Sequence, residues 1–342
     1  MTRYLYFVFI TLMFLFNSCN GNEPQTSNEG NDAAEVGLYK DSDPSKAIIG
    51  NLVFNTISDS TVEVGNNELL YVSLEHITIP SKVDIEDKEY TVTQIGYNAF
   101  SNCKKLKNVK LSPTITSILK NAFYGCESLV DIEIPKSVVF IGDQAFMGCC
   151  SLSEIKLPSN LTEINNGVFC MCTNLISFEI SPNVTDIGRG AFCLCSNLKN
   201  IDIPSNVQCI LCEAFYGCDN LEPKLLIYNN GERCYGWIGK EEYCTDIEIP
   251  NGVLYIGDAA FNSMSHLKSV KIPTSVKNIG FEAFKECHNL THIDIPSSVT
   301  HIFPEAFYNC SNLDIVIDNS EKNVKVGADA FKNCKSVKWL KD

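Results

Sequence analysis

A 23-residue period constrains this chain more than any other feature. The first clear unit runs from Ile95-Gly96 through Ala99-Phe100, Cys103 and Leu106. The same residue types return at Ile118, Ala122-Phe123, Cys126 and Leu129. The frame recurs at Ile141, Ile164, Ile187, Ile210, Ile256, Ile279 and Ile302, then slips by one residue to Val326. With a degraded unit from Arg233 and a truncated last one, there are eleven. Self-similarity at such a period marks a repeat architecture.

The register reads I-x-x-x-A-F-x-x-C-x-x-L-x-x-I-x-I, followed by Pro and Val. In the unit from Ile141, Leu152, Ile155 and Leu157 end in period two, as a short strand with one buried face requires, and Pro158 stops it. Residues 143–148 (DQAFMG) are polar, then apolar, then Gly, which predicts one helical or 3₁₀ turn. Burying seven apolar side chains per unit yields roughly 14–20 kcal/mol at about 2–3 kcal/mol each. Ordering the backbone costs a comparable amount, at ~1–2 kcal/mol per residue. A unit is therefore stable only when neighbours close both of its faces, and the chain is expected to be an α/β repeat solenoid of short parallel strands and short helical turns.

These residues resemble the BspA-type leucine-rich repeat family, found in bacterial surface lipoproteins and some protist surface proteins. The resemblance spans about Ile77 to Trp339. It implies a right-handed solenoid and roles in adhesion or ligand binding, with a protein or glycan as partner. The chain departs from the L-x-x-L-x-L-x-x-N repeat: Pro158, Pro204 and Pro296 follow the strand, and no Asn ladder is evident.

Both ends differ from the frame. Arg3 precedes an apolar stretch over residues 5–16, too short to span a bilayer, and Asn17-Ser18-Cys19 follows. This resembles a lipobox. Residues 1–18 are read as a signal peptide and Cys19 as the lipid-bearing first residue, anchoring the chain to the membrane as an outer-membrane lipoprotein displayed at the cell surface. Residues 19–45 are polar and read as a tether. Residues 46–94, with a hairpin signal at Leu52-Val53-Phe54 and Val62-Glu63-Val64, read as an N-terminal β cap before the solenoid at 95–342. The last strand, at Val337 to Leu340, has no polar cap after it and is expected to be an open edge or to meet a partner.

Net charge is -14, which argues against nucleic acid as a partner. Seventeen cysteines in an exported chain suggest disulfides. Yet Cys103, Cys126, Cys149, Cys172, Cys195, Cys218, Cys287, Cys310 and Cys334 share one frame position that Met264 fills once, so they read as a buried thiol ladder. Cys170, Cys172, Cys193 and Cys195 leave a four-sulfur cluster open as an alternative, and Cys234 with Cys244 a local disulfide. No hydrolase, metalloprotease, nucleotide-binding or dinucleotide-binding motif is present, so neither catalysis nor a cofactor is expected.

The outward residues after the central Ile read Lys110, Glu133, Lys156, Glu179, Asp202, Leu225, Glu248. The first four alternate in sign and are expected to satisfy one another. Alternation fails at Asp202, next to the degraded repeat at 224–245. There Arg233 replaces the frame Ile, Trp237 the Ala and Glu241 the Cys, and Tyr228, Tyr235 and Tyr243 crowd nearby. Aromatics with Arg are the usual composition of interaction hot spots, so Tyr228, Arg233, Tyr235, Trp237, Tyr243, Asp202 and Glu248 are the candidate binding residues. The bland reading is a hairpin that repacks locally. The function expected is an adhesin-like surface protein; the alternative is a structural or assembly lipoprotein of the envelope, facing the periplasm.

Overall fold

Each coil contributes to three faces, and two of them are parallel sheets. The first face carries two-residue strands that end on the frame Ile: Ser117–Ile118, Phe140–Ile141, Glu163–Ile164, Asp186–Ile187 and their successors. They stack in register, Ile118 beside Ile141 and Ile256 beside Ile279 beside Ile302. The second face carries the strands around the central Ile, such as Asn108–Lys110, Asp131–Glu133 and Asp246–Glu248. The result is a solenoid of about eleven coils of about 23 residues. This computed structural model describes residues 46–67 and 71–341. The signal peptide, Cys19 and the tether lie outside the described residues.

The third face corrects the expected helical turn. Residues 143–148 form no helix. Gln144 and Gly148 have φ of 58° and 75°, in the left-handed region. Ala145, Met147 and Cys149 donate their N–H groups three residues back, to Gly142, Gln144 and Phe146. Gln144, Phe146 and Gly148 instead donate sideways, to the carbonyls of Asn166, Val168 and Cys170 in the next coil. A left-handed residue at every fourth position reverses the local sense before a helix can propagate. The freed N–H groups must then be satisfied by the neighbouring coil. Other coils place Asn, Gly and Glu there, and even Met171 and Leu194. The 3₁₀ turns that do form, Glu241–Tyr243 and Glu321–Asn323, lie elsewhere in the frame.

The core is a set of one-residue-wide columns. Phe100, Phe123, Phe146, Phe169, Phe192 and Phe215 stack with centroids 5.3–5.8 Å apart and interplanar angles of 4–21°. A second stack runs from Phe261 through Phe284 and Phe307 to Phe331. Between them the core divides into two clusters. Parallel-displaced rings at these distances add to the burial of their area.

The ladder cysteines are buried except the last, Cys334, which is half-buried, and no disulfide joins the described cysteines. They are also donors. Cys126 Sγ lies 3.1 Å from the Phe100 carbonyl, Cys149 3.3 Å from Phe123, and Cys172 3.2 Å from Phe146, each reaching back one coil. The pattern continues to Cys334 on Phe307 at 3.0 Å. The position therefore favours a thiol over a plain apolar filler. Met264 is the exception, and the coil before it has Ile238 where the acceptor Phe would stand.

At the corner before each Val, Thr114, Ser137, Asn206, Ser275 and Ser298 donate to the carbonyls of Val92, Ile115, Val184, Val253 and Val276. This mixed hydroxyl and amide ladder does the work an Asn ladder would do. The charge column behaves differently from expectation. Lys110 and Glu133 are cross-strand partners but form no ion pair, and Lys156 lies where no strand forms. The pair that closes is Glu248 with Lys271, at 2.6 Å. Both are well exposed, so it contributes less than about 1 kcal/mol.

Upstream, Lys46–Ile49, Leu52–Thr56 and Thr61–Val64 form an antiparallel meander, as the hairpin signal predicts. Thr61–Val64 then pairs parallel with Lys88–Ile95, which enters the first ladder. Tyr71 ends the ring column, 5.0 Å from Phe100; its hydroxyl accepts from Val53 N–H at 2.7 Å and lies 3.2 Å from the Gly65 carbonyl.

Candidate functional site

The degraded repeat is a hairpin spliced into the solenoid. Lys224–Tyr228 pairs antiparallel with Arg233–Ile238 across a turn in which Asn229, Asn230 and Gly231 all have positive φ. Arg233–Ile238 then pairs parallel with Tyr255–Ile256 and starts the ladder of the second half. The register corrects the sequence frame by one residue: Cys234, not Arg233, sits beside Ile256. Cys234 is fully buried in the place of the frame Ile, and Arg233 projects outward beside Tyr255. Cys244 is likewise buried, at the position that Leu221 and Leu267 hold in the flanking units. Burial pushes both thiols up to about 12, and they remain reduced. The local disulfide left open by the sequence is not formed.

Along Arg233–Ile238, burial alternates strictly. Arg233, Tyr235 and Trp237 are half-buried on one face, and Cys234, Gly236 and Ile238 face inward. The rings are anchored. Tyr235 Oη donates to the Gln208 carbonyl at 2.8 Å, Tyr228 Oη to the Ile203 carbonyl at 3.4 Å, and Trp237 Nε1 to the Lys240 carbonyl at 3.2 Å. Tyr228 and Tyr235 pack against the core of the first half; Leu225, Ile227 and Trp237 pack against that of the second. The hairpin therefore joins two cores, and much of its aromatic surface serves that purpose. Tyr235→Phe is expected to cost about 1 kcal/mol through loss of the hydroxyl bond to Gln208. Urea unfolding would measure it, and a variant as stable as the parent would contradict this account.

The seven candidate residues lie on several elements, although the Tyr228 hydroxyl reaches the Ile203 carbonyl, next to Asp202. Arg233, Tyr228 and Tyr235 come together. Asp202 lies on a separate two-stranded sheet beside Glu179, Glu248 is held by Lys271 on another, and Tyr243 is 59% exposed on its 3₁₀ turn. The structure adds a residue that sequence reasoning passed over. The Arg233 guanidinium stands over the Tyr255 ring at 4.4 Å and near that of Tyr235 at 5.9 Å. Tyr255 Oη donates to Asp258 Oδ1 at 2.7 Å, and the same oxygen accepts from Phe281 N–H at 2.9 Å. Burial and the Asp258 carboxylate raise the Tyr255 pKa, against the pull of Arg233. Tyr255 occupies a regular unit, so only the corrected register would have revealed it.

Shallow cavities lie beside the solenoid faces. One of about 320 Å³ is lined by Leu52, Leu74, Ile77 and Val83 near the N-terminal meander. Another, about 200 Å³, is lined by His301, Phe303, Pro304, Lys325, Val326 and Gly327.

In-register coils with buried Phe, Cys, Leu and Ile columns, and partly exposed aromatics on a sheet face, define a leucine-rich-repeat solenoid. The chain belongs to the BspA-type leucine-rich repeat family, whose repeat region matches residues 93–222 and 239–341 in six copies. The gap between the matched stretches coincides with the spliced hairpin. The chain is similar to a leucine-rich cell surface protein from Faecalibacterium prausnitzii: 25% identity over 87% of this chain and 95% of that one, with a TM-score of 0.52. It shares its fold with the pneumococcal vaccine antigen PcpA at 21% identity, 83% and 78% coverage and a TM-score of 0.58. No curated protein is a significant match.

Proposed function

We propose that this chain is a lipid-anchored surface protein that binds proteins or glycans through its exposed solenoid faces, adhesin-like, and catalyses no reaction. The observation that carries this reading is the outward face of Arg233–Ile238. Its rings are held by hydrogen bonds, Tyr235 through its hydroxyl and Trp237 through its indole N–H, and its guanidinium stands over the ring of Tyr255. Rigid aromatic and Arg side chains lose little freedom on binding, which is what recognition surfaces require. The likeness to a bacterial cell surface protein supports the same address. Cys19 would carry the lipid, residues 20–45 would hold the solenoid away from the membrane, and the N-terminal meander would cap the first coil.

Protease treatment of intact cells tests the address. Loss of the chain without lysis is expected. Survival until lysis would assign it instead to the periplasmic face, as a structural lipoprotein. Cys19→Ala is expected to release the chain from the membrane fraction; continued retention would count against lipid anchoring.

A further inference from the structure

One outward column of the second half differs from the rest of the molecule in charge. Arg233, Tyr255, Asn278, His301 and Lys325 are successive cross-strand partners in one parallel sheet. The inward neighbours of the first four, Cys234, Ile256, Ile279 and Ile302, are buried, so those four project from a single face; Lys325 continues the register beside His301, although its own neighbour Val326 is exposed. The column holds a cation at each end and no carboxylate, on a chain of net charge -14. The same column in the first half includes Glu163 and Asp186. Lys277, exposed one residue before Asn278, adds a further cation.

These cations are not matched within the protein. Among the described residues, none of Arg233, Lys277 and Lys325 takes part in an ion pair. The nearby Asp258 carboxylate is engaged by Tyr255 Oη and Phe281 N–H. The Arg233 guanidinium stands 4.4 Å from the Tyr255 ring centroid and is hydrogen-bonded to Tyr235, and its remaining N–H groups are available to an oxyanion. Phe303 continues the aromatic surface, with its ring 6.2 Å from Tyr255 and 6.4 Å from His301. Beyond it lies the cavity of about 200 Å³, with Lys325 in its wall.

We infer that this face binds an acidic glycan, a carboxylated or sulfated polysaccharide laid along the column from Arg233 toward Lys325. The inference rests on the binding reading above and names its ligand class. Sugar rings present flat C–H faces that suit the exposed Phe303 ring, and their acidic groups would meet Arg233, positioned by Tyr255, at one end and Lys325 at the other. A peptide fits less well. The ring-bearing strands Arg233–Ile238, Tyr255–Ile256 and His301–Ile302 are paired on both sides, so they offer no backbone edge for strand addition. The face is also too shallow to seat an amphipathic helix.

The test uses the full chain in biolayer interferometry with three probes: polygalacturonate, neutral dextran of similar length, and poly-L-glutamate. Binding to polygalacturonate is expected, weakening as salt rises, with no binding to dextran. Arg233→Gln and Lys325→Gln are each expected to lower affinity about tenfold, since each removes one charge-assisted contact. Tyr255→Ala should do likewise, with its unfolding midpoint measured alongside. Both charge substitutions lie outside the buried core, so a folding defect would not mask the outcome. The inference is overturned if polyglutamate binds as tightly as polygalacturonate, or if the two charge variants bind like the parent. A chain that is shaved from intact cells yet binds none of the probes overturns it too, while leaving the surface reading intact.

Discussion

Raising the pH above about 9 is expected to unfold this protein cooperatively, with the buried thiols as the cause. An unfolded cysteine ionises near pH 8.5. In the folded chain burial holds Cys126, Cys149, Cys172, Cys195 and Cys287 far above that value, and the Cys218 and Cys310 thiols rise to about 12. The folded state thus keeps protons that the unfolded state gives up. The stability associated with these groups is fully present below about pH 8.5 and is lost as pH rises toward the folded-state values. Each thiol removes about 1.4 kcal/mol per pH unit over that window. The seven acting together remove about 10 kcal/mol per unit, comparable to the whole stability of an ordinary domain. Circular dichroism against pH, with reductant present, should show a steep loss of structure by about pH 10.5. Thiolate absorbance should appear in the same step. A chain still folded at about pH 11, or one that unfolds before any thiolate forms, would refute the mechanism.

Gly236→Ala is expected to be the most damaging single-methyl change in the hairpin. Gly236 has φ of 110°, outside the regions that side-chain-bearing residues adopt. A Cβ there would stand 1.9 Å from the Ala260 carbonyl oxygen and 2.7 Å from its carbon. Both are backbone atoms of the next coil, so the hairpin would have to lift away from the second half. Backbone strain and lost packing at the junction of the two cores should together cost about 4 kcal/mol or more. Gly231→Ala is the control. It also has positive φ, 83°, but no atom lies within 4 Å of its added Cβ. Strain alone there should cost about 1–2 kcal/mol. Urea denaturation of the two variants separates the effects, and equal costs would show that the close approach to Ala260 is unimportant.

The legible parts of the fold were those encoded by side-chain identity within one unit. Ile141, Phe146, Cys149 and Leu152 announce burial by type and spacing, and all four are buried. The third face was misread because its geometry depends on the neighbouring coil. Nothing in the residues of 143–148 says that Phe146 N–H will reach Val168 instead of closing a helix. The corner ladder was hidden by chemistry, since Thr114, Ser137 and Asn206 are different residues making one kind of bond. The hairpin misled by arithmetic. Ile210 to Ile256 spans two whole periods, which conceals an unequal division at Cys234, one residue later than the frame predicts. That single shift turned Arg233 outward, placed Cys234 in the core and brought Tyr255 into the candidate face. Asp202 and Glu248 were chosen for their proximity in sequence to the interruption, and they belong to other sheets.

The thiol-to-carbonyl bonds all point the same way, from each coil to the one before it. Every regular coil therefore carries a donor for its predecessor and an acceptor for its successor, alongside a ring that stacks on both. Duplicating or deleting one such regular unit in the gene is therefore expected to leave no orphaned thiol or carbonyl at the new seam. The exception is the hairpin and the coil after it, where Met264 brings no thiol and a side chain at Gly236 would meet the Ala260 backbone.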